Sequence, residues 1–343
     1  MNNKQILFAT LLLFLGSSIS TATSGFLKDT ILEPLLKNGR KPVLYRTSQF
    51  GENQDRTNTP VIGIISQTLE TEMQNLTEFQ GYKSYIMKSY VDFVESAGAR
   101  VVPLVVGEPE EVTLQKLQKL NGVVFPGGDG DYLEYGRYVF NAIKEFNDNG
   151  TFYPLWGTCM GYENIVSYVS DNGWNVLDVY DYDSGSMALE FVVDPRQSKM
   201  FAGLDEKAFL FESYNVTYNA HHWGMNPEKF QTDKGLMSIF KHTAISYMPD
   251  GRPFVASIES DQYPFFGSQF HPEKVSRVFK EELNVDHSWL SIGLNRHFSD
   301  YFVHLTRQNT NNYGNYSQTQ KDIIENHHLI VSDDWYDSVY VFE

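Results

Sequence analysis

The chain has 343 residues, of which 41% are hydrophobic and 15% aromatic. It is therefore globular and long enough to bury a large core, as one large domain or two modest ones. Its formal charge of −16 argues against nucleic acid or an anionic membrane surface as partner, since both require basic patches.

The N-terminus opens with Lys4, an apolar run from Ile6 to Leu15, and then small residues through Ala22. A basic start, a short apolar stretch and a small-residue exit describe a secretory signal peptide over residues 1–22. The run is too short to span a bilayer comfortably, so an uncleaved anchor is the weaker alternative. The sequons at Asn75, Asn149, Asn215 and Asn315 agree with secretion, toward a lysosome or vacuole or the cell exterior, and predict surface positions. Residues 23–59 read as a weakly structured lead-in, with one helical turn over 32–36 and a polar loop ending at Pro60.

Val61 to Ser66 is a short apolar run, the pattern of a strand covered on both faces. A polar loop follows through Asn75. Apolar positions at helical spacing then predict a helix from Phe79 to Ala97, closed by Gly98. Val101 to Val106 reads as a second strand, interrupted at Pro103, and Glu110 to Leu120 as a helix. Val123-Val124-Phe125 is a third strand, running into Gly127-Gly128, and Tyr132 to Phe146 is the next helix. Strands alternating with helices imply a parallel sheet with right-handed crossovers. Working groups of such sheets gather at the C-terminal strand ends.

The fourth strand, Phe152 to Trp156, runs into Gly157-Thr158-Cys159-Met160-Gly161 and a helix-like stretch from Tyr162 to Ser170. Strand, sharp small-residue turn and helix are the layout that projects a nucleophile from a strand end. Cys159 is the only cysteine, so it has no intramolecular disulfide partner. A helix N-terminus favours its thiolate; the bland alternative is a small buried thiol. Gly127-Gly128 in isolation is a tight turn. Its functional reading is an N–H that forms a two-donor oxyanion hole with the N–H of Met160.

In the second half, Leu189 to Val193, Ala208 to Phe211, Ala244 to Met248 and Phe254 to Glu259 read as strands, with a hairpin turn at Asp250-Gly251-Arg252-Pro253. His221-His222 is better read as a loop histidine near the cleft than as a metal site, because no third ligand stands at metal spacing. Phe265 to Phe270 reads as a strand ending in His271-Pro272-Glu273. A thiol nucleophile needs a base, and the base needs a group that fixes its tautomer. His271 and Glu273 supply both, with Pro272 stiffening the link. In the tail, Leu329 to Ser332 and Ser338 to Phe342 read as a terminal hairpin.

These pieces together resemble the class I glutamine amidotransferase superfamily, and within it the gamma-glutamyl hydrolases. The resemblance is carried by Pro60 to Ile64, Ser89-Tyr90-Val91, Glu95 to Pro103, Phe125 to Gly128, Gly157 to Gly161, His221 to Gly224 and Gln269 to Lys274, in family order. It implies a flavodoxin-like three-layer sandwich with a mostly parallel central sheet. It implies a catalytic domain over 60–308, followed by a C-terminal extension over 309–343. By the same resemblance Cys159 is nucleophile, His271 acid–base and Glu273 its orienting carboxylate. Gly128 and Met160 bind the oxyanion, and Glu163, His221 and Trp223 lie at the substrate cleft. The implied reaction is hydrolysis of folate poly-γ-glutamates through a thioester, with no cofactor and no metal, by a homodimer. A thiolate–imidazolium pair would carry activity into acidic pH. Two other classes stay open: a glutamine amidotransferase or glutaminase acting on other γ-glutamyl amides, and a non-catalytic secreted glycoprotein of the same fold.

Overall fold

The computed structural model describes residues 57–331, 335 and 337–343. The expected signal peptide, the helical turn at 32–36 and nearly all of the lead-in lie outside the described residues.

The first half forms β1 (Val61–Ile65), β2 (Gln67–Thr68), β3 (Ser84–Met87), α1 (Lys88–Glu95), β4 (Arg100–Leu104), α2 (Glu110–Leu117), β5 (Gly122–Phe125), α3 (Leu133–Asp148), β6 (Leu155–Thr158) and α4 (Met160–Val169). The second half adds β7 (Leu177–Met187), β8 (Glu190–Phe191), β9 (Thr217–Met225), β10 (Lys241–Tyr247), β11 (Pro253–Glu259), β12 (Phe265–Ser268), α5 (Trp289–Thr306), β13 (His328–Ile330) and β14 (Val339–Phe342).

The main sheet has eight strands in the order β4-β1-β5-β6-β12-β11-β10-β8. The first five pair in parallel. The last three add antiparallel strands at one edge. This is the flavodoxin-like order, and its strand ends open on one side of the sheet. Both faces are covered. Val61, Ile65, Val123 and Leu155 join the core beneath α2, α3 and α4. The alternate residues face α1 and α5, which pack on each other. Trp156 shows the second face well. It is fully buried, with its ring 5.7 Å from Phe298 and 6.1 Å from Phe302 of α5. Each such burial contributes ~1.5–3 kcal/mol. Two covered faces are why the parallel strands read as continuous apolar runs. Pro103 sits on the edge strand β4, where a missing N–H is tolerated.

Three sequence expectations are corrected. The helix expected over 79–97 begins only at Lys88. Ser84–Met87 is instead the buried strand β3, because it pairs with β14 from the far end of the chain; that pairing overrides a local helical period. Ala208–Phe211 is helical rather than extended. There Phe211 packs its ring 5.8 Å from Phe201 and 5.7 Å from Phe298, and four apolar residues cannot distinguish a turn of helix from a strand. The His221 to Gly224 segment is not a loop but part of β9, paired antiparallel with β7 in a separate two-stranded ribbon. The tail does form a hairpin: β13 pairs with β14, and β14 continues onto β3.

Candidate active site

Cys159 occupies the single residue between β6 and α4. Its φ of 51° lies in the left-handed region that side chains disfavour. Its N–H is fixed on the Ser268 carbonyl at 2.8 Å, and its carbonyl accepts the Glu163 N–H at 2.9 Å. The turn closes because Gly161 has no side chain; a Cβ there would collide with the Phe125 carbonyl. The chain therefore turns sharply from strand to helix and leaves the thiol at the sheet's C-terminal edge.

The neighbouring strand end carries Gly127-Gly128. A Cβ on Gly127 would stand 2.9 Å from Cys159 Cβ and 3.0 Å from His271 Cε1. The turn thus abuts both thiol and imidazole, which a merely structural turn need not do. It is pinned on both sides. Gly127 N–H donates to the Tyr90 hydroxyl at 2.7 Å, and the Gln67 amide donates to the Gly127 carbonyl at 2.9 Å. Gly130 N–H returns a bond to Gln67 Oε1 at 3.0 Å. Gly128 itself has φ 137°.

His271 leaves β12 and is held by its own N–H on the Tyr218 carbonyl at 2.8 Å. Its Nδ1 meets Glu273 Oε1 at 2.7 Å, and both side chains are buried. Tyr90 Oη stands 3.4 Å from the same nitrogen. With Nδ1 engaged, Nε2 has no hydrogen-bond partner among the described residues. The Cys159 thiol donates instead to the Ala220 carbonyl at 3.6 Å. The sequence favoured a resting thiolate, and burial works against it. Burial pushes the thiol well above its ordinary range, and Glu163 adds to this; Lys274 and the Met160 N–H oppose it. Burial also lowers His271, as does Lys274, against the pull of Glu273. Both shifts favour the uncharged forms, a thiol on Cys159 and a neutral ring on His271, over an ion pair. A helix dipole is worth ~0.3–1 kcal/mol at a surface, whereas full burial moves a group by up to ~3–5 pKa units.

These groups line a cleft of about 400 Å³, together with Gly128 and Met160. Glu163, His221 and Trp223 line it too. Glu163 is buried and accepts the Gln269 amide at 2.8 Å. Burial pushes its carboxyl up to about 8, with Gln269 opposing and Asp129 adding. His221 is buried, edge-on to Phe254 at 5.0 Å, and burial lowers it to about 4. His222 is exposed and pairs with Asp181 at 2.8 Å. Trp223 is exposed at the rim, with its ring 6.2 Å from Trp174. Sequence reasoning missed Tyr90 and Gln67 as clamps on the glycine turn, Gln269 as the partner of Glu163, and the buried cation Lys274 in the cleft wall. Tyr90, Gln269 and Lys274 lie within segments that carried the resemblance, but no role could be read for them from the sequence. Gln67 lies outside those segments.

Comparison with known proteins comes down on one family. The family model described as Peptidase C26 matches residues 60–169. Gamma-glutamyl hydrolase B of Dictyostelium discoideum is 31% identical over 83% of this chain and 82% of its own length. Gamma-glutamyl hydrolase of Rattus norvegicus is 30% identical over 80% of this chain and 86% of its own. Gamma-glutamyl hydrolase 1 of Arabidopsis thaliana is 32% identical over 74% and 73%.

Proposed function

Because this chain belongs to the gamma-glutamyl hydrolase family and is a hydrolase of the cysteine-peptidase type, we propose that it cleaves the γ-glutamyl bonds of folylpoly-γ-glutamates through Cys159, His271 and Glu273. The observation that carries this reading is the packing of Gly127, too tight to admit a Cβ, beside both the strained Cys159 turn and the Glu273-bound ring of His271.

The reaction starts from the neutral pair. As substrate enters, His271 Nε2 takes the thiol proton and Cys159 Sγ attacks the γ-carbonyl carbon. The oxyanion forms against the Gly128 and Met160 N–H groups. The C–N bond breaks as His271 returns its proton to the leaving nitrogen, and a thioester remains. His271 then takes a proton from water, the hydroxide adds to the thioester, and collapse releases the γ-carboxyl as His271 returns that proton to the departing sulfur. Glu273 on Nδ1 leaves Nε2 free to take the thiol proton and stabilises the imidazolium. Glu163, His221 and Trp223 hold the glutamyl residue. No metal or organic cofactor takes part in this scheme.

Residues 1–22 are proposed to direct the chain into the secretory pathway, to a lysosome or vacuole or outside the cell, as a homodimer. Exposure of Asn75, Asn149, Asn215 and Asn315 supports glycosylation at these sites. The test is incubation of the mature protein with a folate pentaglutamate beside Cys159→Ala. Shortened chains only with the intact cysteine support the reading. No cleavage by folded protein, with glutamine turned over instead, would replace it with a glutaminase.

A further inference from the structure

Helix α1 begins without a cap of its own. Its N-cap residue is Met87, and no side chain at that position bonds the first turn. This role ordinarily falls to Ser, Thr, Asp or Asn. The free N–H groups are met from the far end of the chain instead. Lys88 N–H donates to the Ser338 carbonyl at 2.7 Å. Ser89 N–H donates to the Asp337 carboxylate, Oδ2, at 3.2 Å across 248 residues of sequence. The register of β14 on β3, with Val339 opposite Met87 and Phe342 opposite Ser84, delivers both acceptors to the helix start. A carboxylate there also meets the positive end of the helix dipole.

The next helical residue is Tyr90. Its hydroxyl accepts the Gly127 N–H at 2.7 Å and stands 3.4 Å from His271 Nδ1. We propose that Asp337 is a positioning residue of the catalytic centre: by capping α1 it fixes Tyr90, and through Tyr90 it sets the glycine turn and the ring of His271. The C-terminal segment is then part of the site's framework rather than an appendage. The surroundings of Asp337 agree. It is only partly accessible. Burial pushes its carboxyl up to about 6, hydrogen bonding from Ser89 and the charge of Lys274 hold it down, and Glu273 raises it. Lys274 and Glu273 belong to the His271 loop, so Asp337 faces that loop as well as α1.

This proposal rests on the thiol-hydrolase reading but is tested separately from the substrate. Asp337→Ala, Asp337→Asn, Tyr90→Phe and the double variant Asp337→Ala/Tyr90→Phe are compared in the full chain. The readouts are kcat and KM on folate pentaglutamate, and the rate of Cys159 alkylation by iodoacetamide across pH. Cys159 is the only cysteine, so labelling reports on it alone. Asp337→Ala is expected to lower kcat about tenfold with KM within about twofold, and to slow alkylation severalfold at neutral pH. Asp337→Asn, which keeps an acceptor for Ser89, restores most of both. Because Asp337 acts through Tyr90, adding Asp337→Ala to Tyr90→Phe costs less than about twofold. Equal losses with and without the Tyr90 hydroxyl would overturn the proposal, as would wild-type kcat and alkylation in Asp337→Ala. Should the alanine variant not fold, Asp337→Ser, too short to reach Ser89, takes its place in the cycle. A wild-type protein inert toward the pentaglutamate counts against the substrate assignment alone, and the alkylation cycle still decides the role of Asp337.

Discussion

The two walls of the cleft are made of different material. Along the ends of β5 and β6 the working groups are mostly backbone: the Gly127-Gly128 turn, and the Cys159–Met160 turn locked between Ser268 and Glu163. His271, leaving β12 of the same sheet, stands with them; along β9 the groups are side chains, His221 and Trp223, each held by neighbours. The first wall belongs to the eight-stranded sheet. The second rests in part on a two-stranded ribbon whose register slips at two places. Backbone groups have no rotamers to lose and cannot be exchanged by substitution, whereas a ribbon of side chains can be altered without touching the sheet. The stiff wall suits the bond-breaking step, and the ribbon suits the selection of what is bound.

Substitutions sharpen that contrast in order of size. His271→Ala removes the proposed acid–base group and is expected to lower kcat ~10²–10⁴-fold, measured by steady-state hydrolysis of folate pentaglutamate. Gly127→Ala inserts a Cβ 2.9 Å from Cys159 Cβ and 3.0 Å from His271 Cε1. It is expected to cost ~10²-fold in kcat by displacing either group, with an unchanged circular dichroism spectrum. Wild-type activity in Gly127→Ala would show the first wall to be softer than described. Trp223→Ala belongs to the ribbon and should raise KM about three- to tenfold, the worth of an aromatic contact, while kcat holds. A kcat loss without a KM change would break the division of labour.

The smallest effect is on stability. Glu163 is raised from 4.5 to about 8 in the fold, so its neutral form is favoured there. Its contribution is whole below about pH 4.5 and is lost as pH rises through about 8. Thermal melting between pH 5 and 8 should therefore fall more steeply for the wild type than for Glu163→Gln. Parallel curves would mean that Glu163 is not held neutral.

The contiguous chemistry of the site was readable because each motif announces itself locally: a lone cysteine between glycines, a double glycine after a strand, a histidine two residues before a glutamate. The parallel strands were readable because cover on both faces forces unbroken apolar runs. What escaped depends on distant partners. β3 exists because β14 pairs with it, and Tyr90 is set apart from its apolar neighbours only by where Gly127 and His271 arrive. β7 escaped because its sequence, from Leu177 to Met187, is rich in aspartate and serine and is paired along one ribbon rather than buried in a core. The helix dipole that favours a thiolate is local and visible in sequence, while the burial that opposes it is a property of the finished fold.

The proposed thiol mechanism requires a covalent glutamyl intermediate on Cys159. The direct measurement is mass spectrometry of the protein quenched in acid during turnover of folate pentaglutamate, after digestion, with Cys159→Ala alongside. A substrate-derived acyl group is expected on the peptide bearing Cys159, lost on treatment with hydroxylamine and missing from the alanine variant. Product formation that persists in Cys159→Ala, or an adduct on any other peptide, would contradict it.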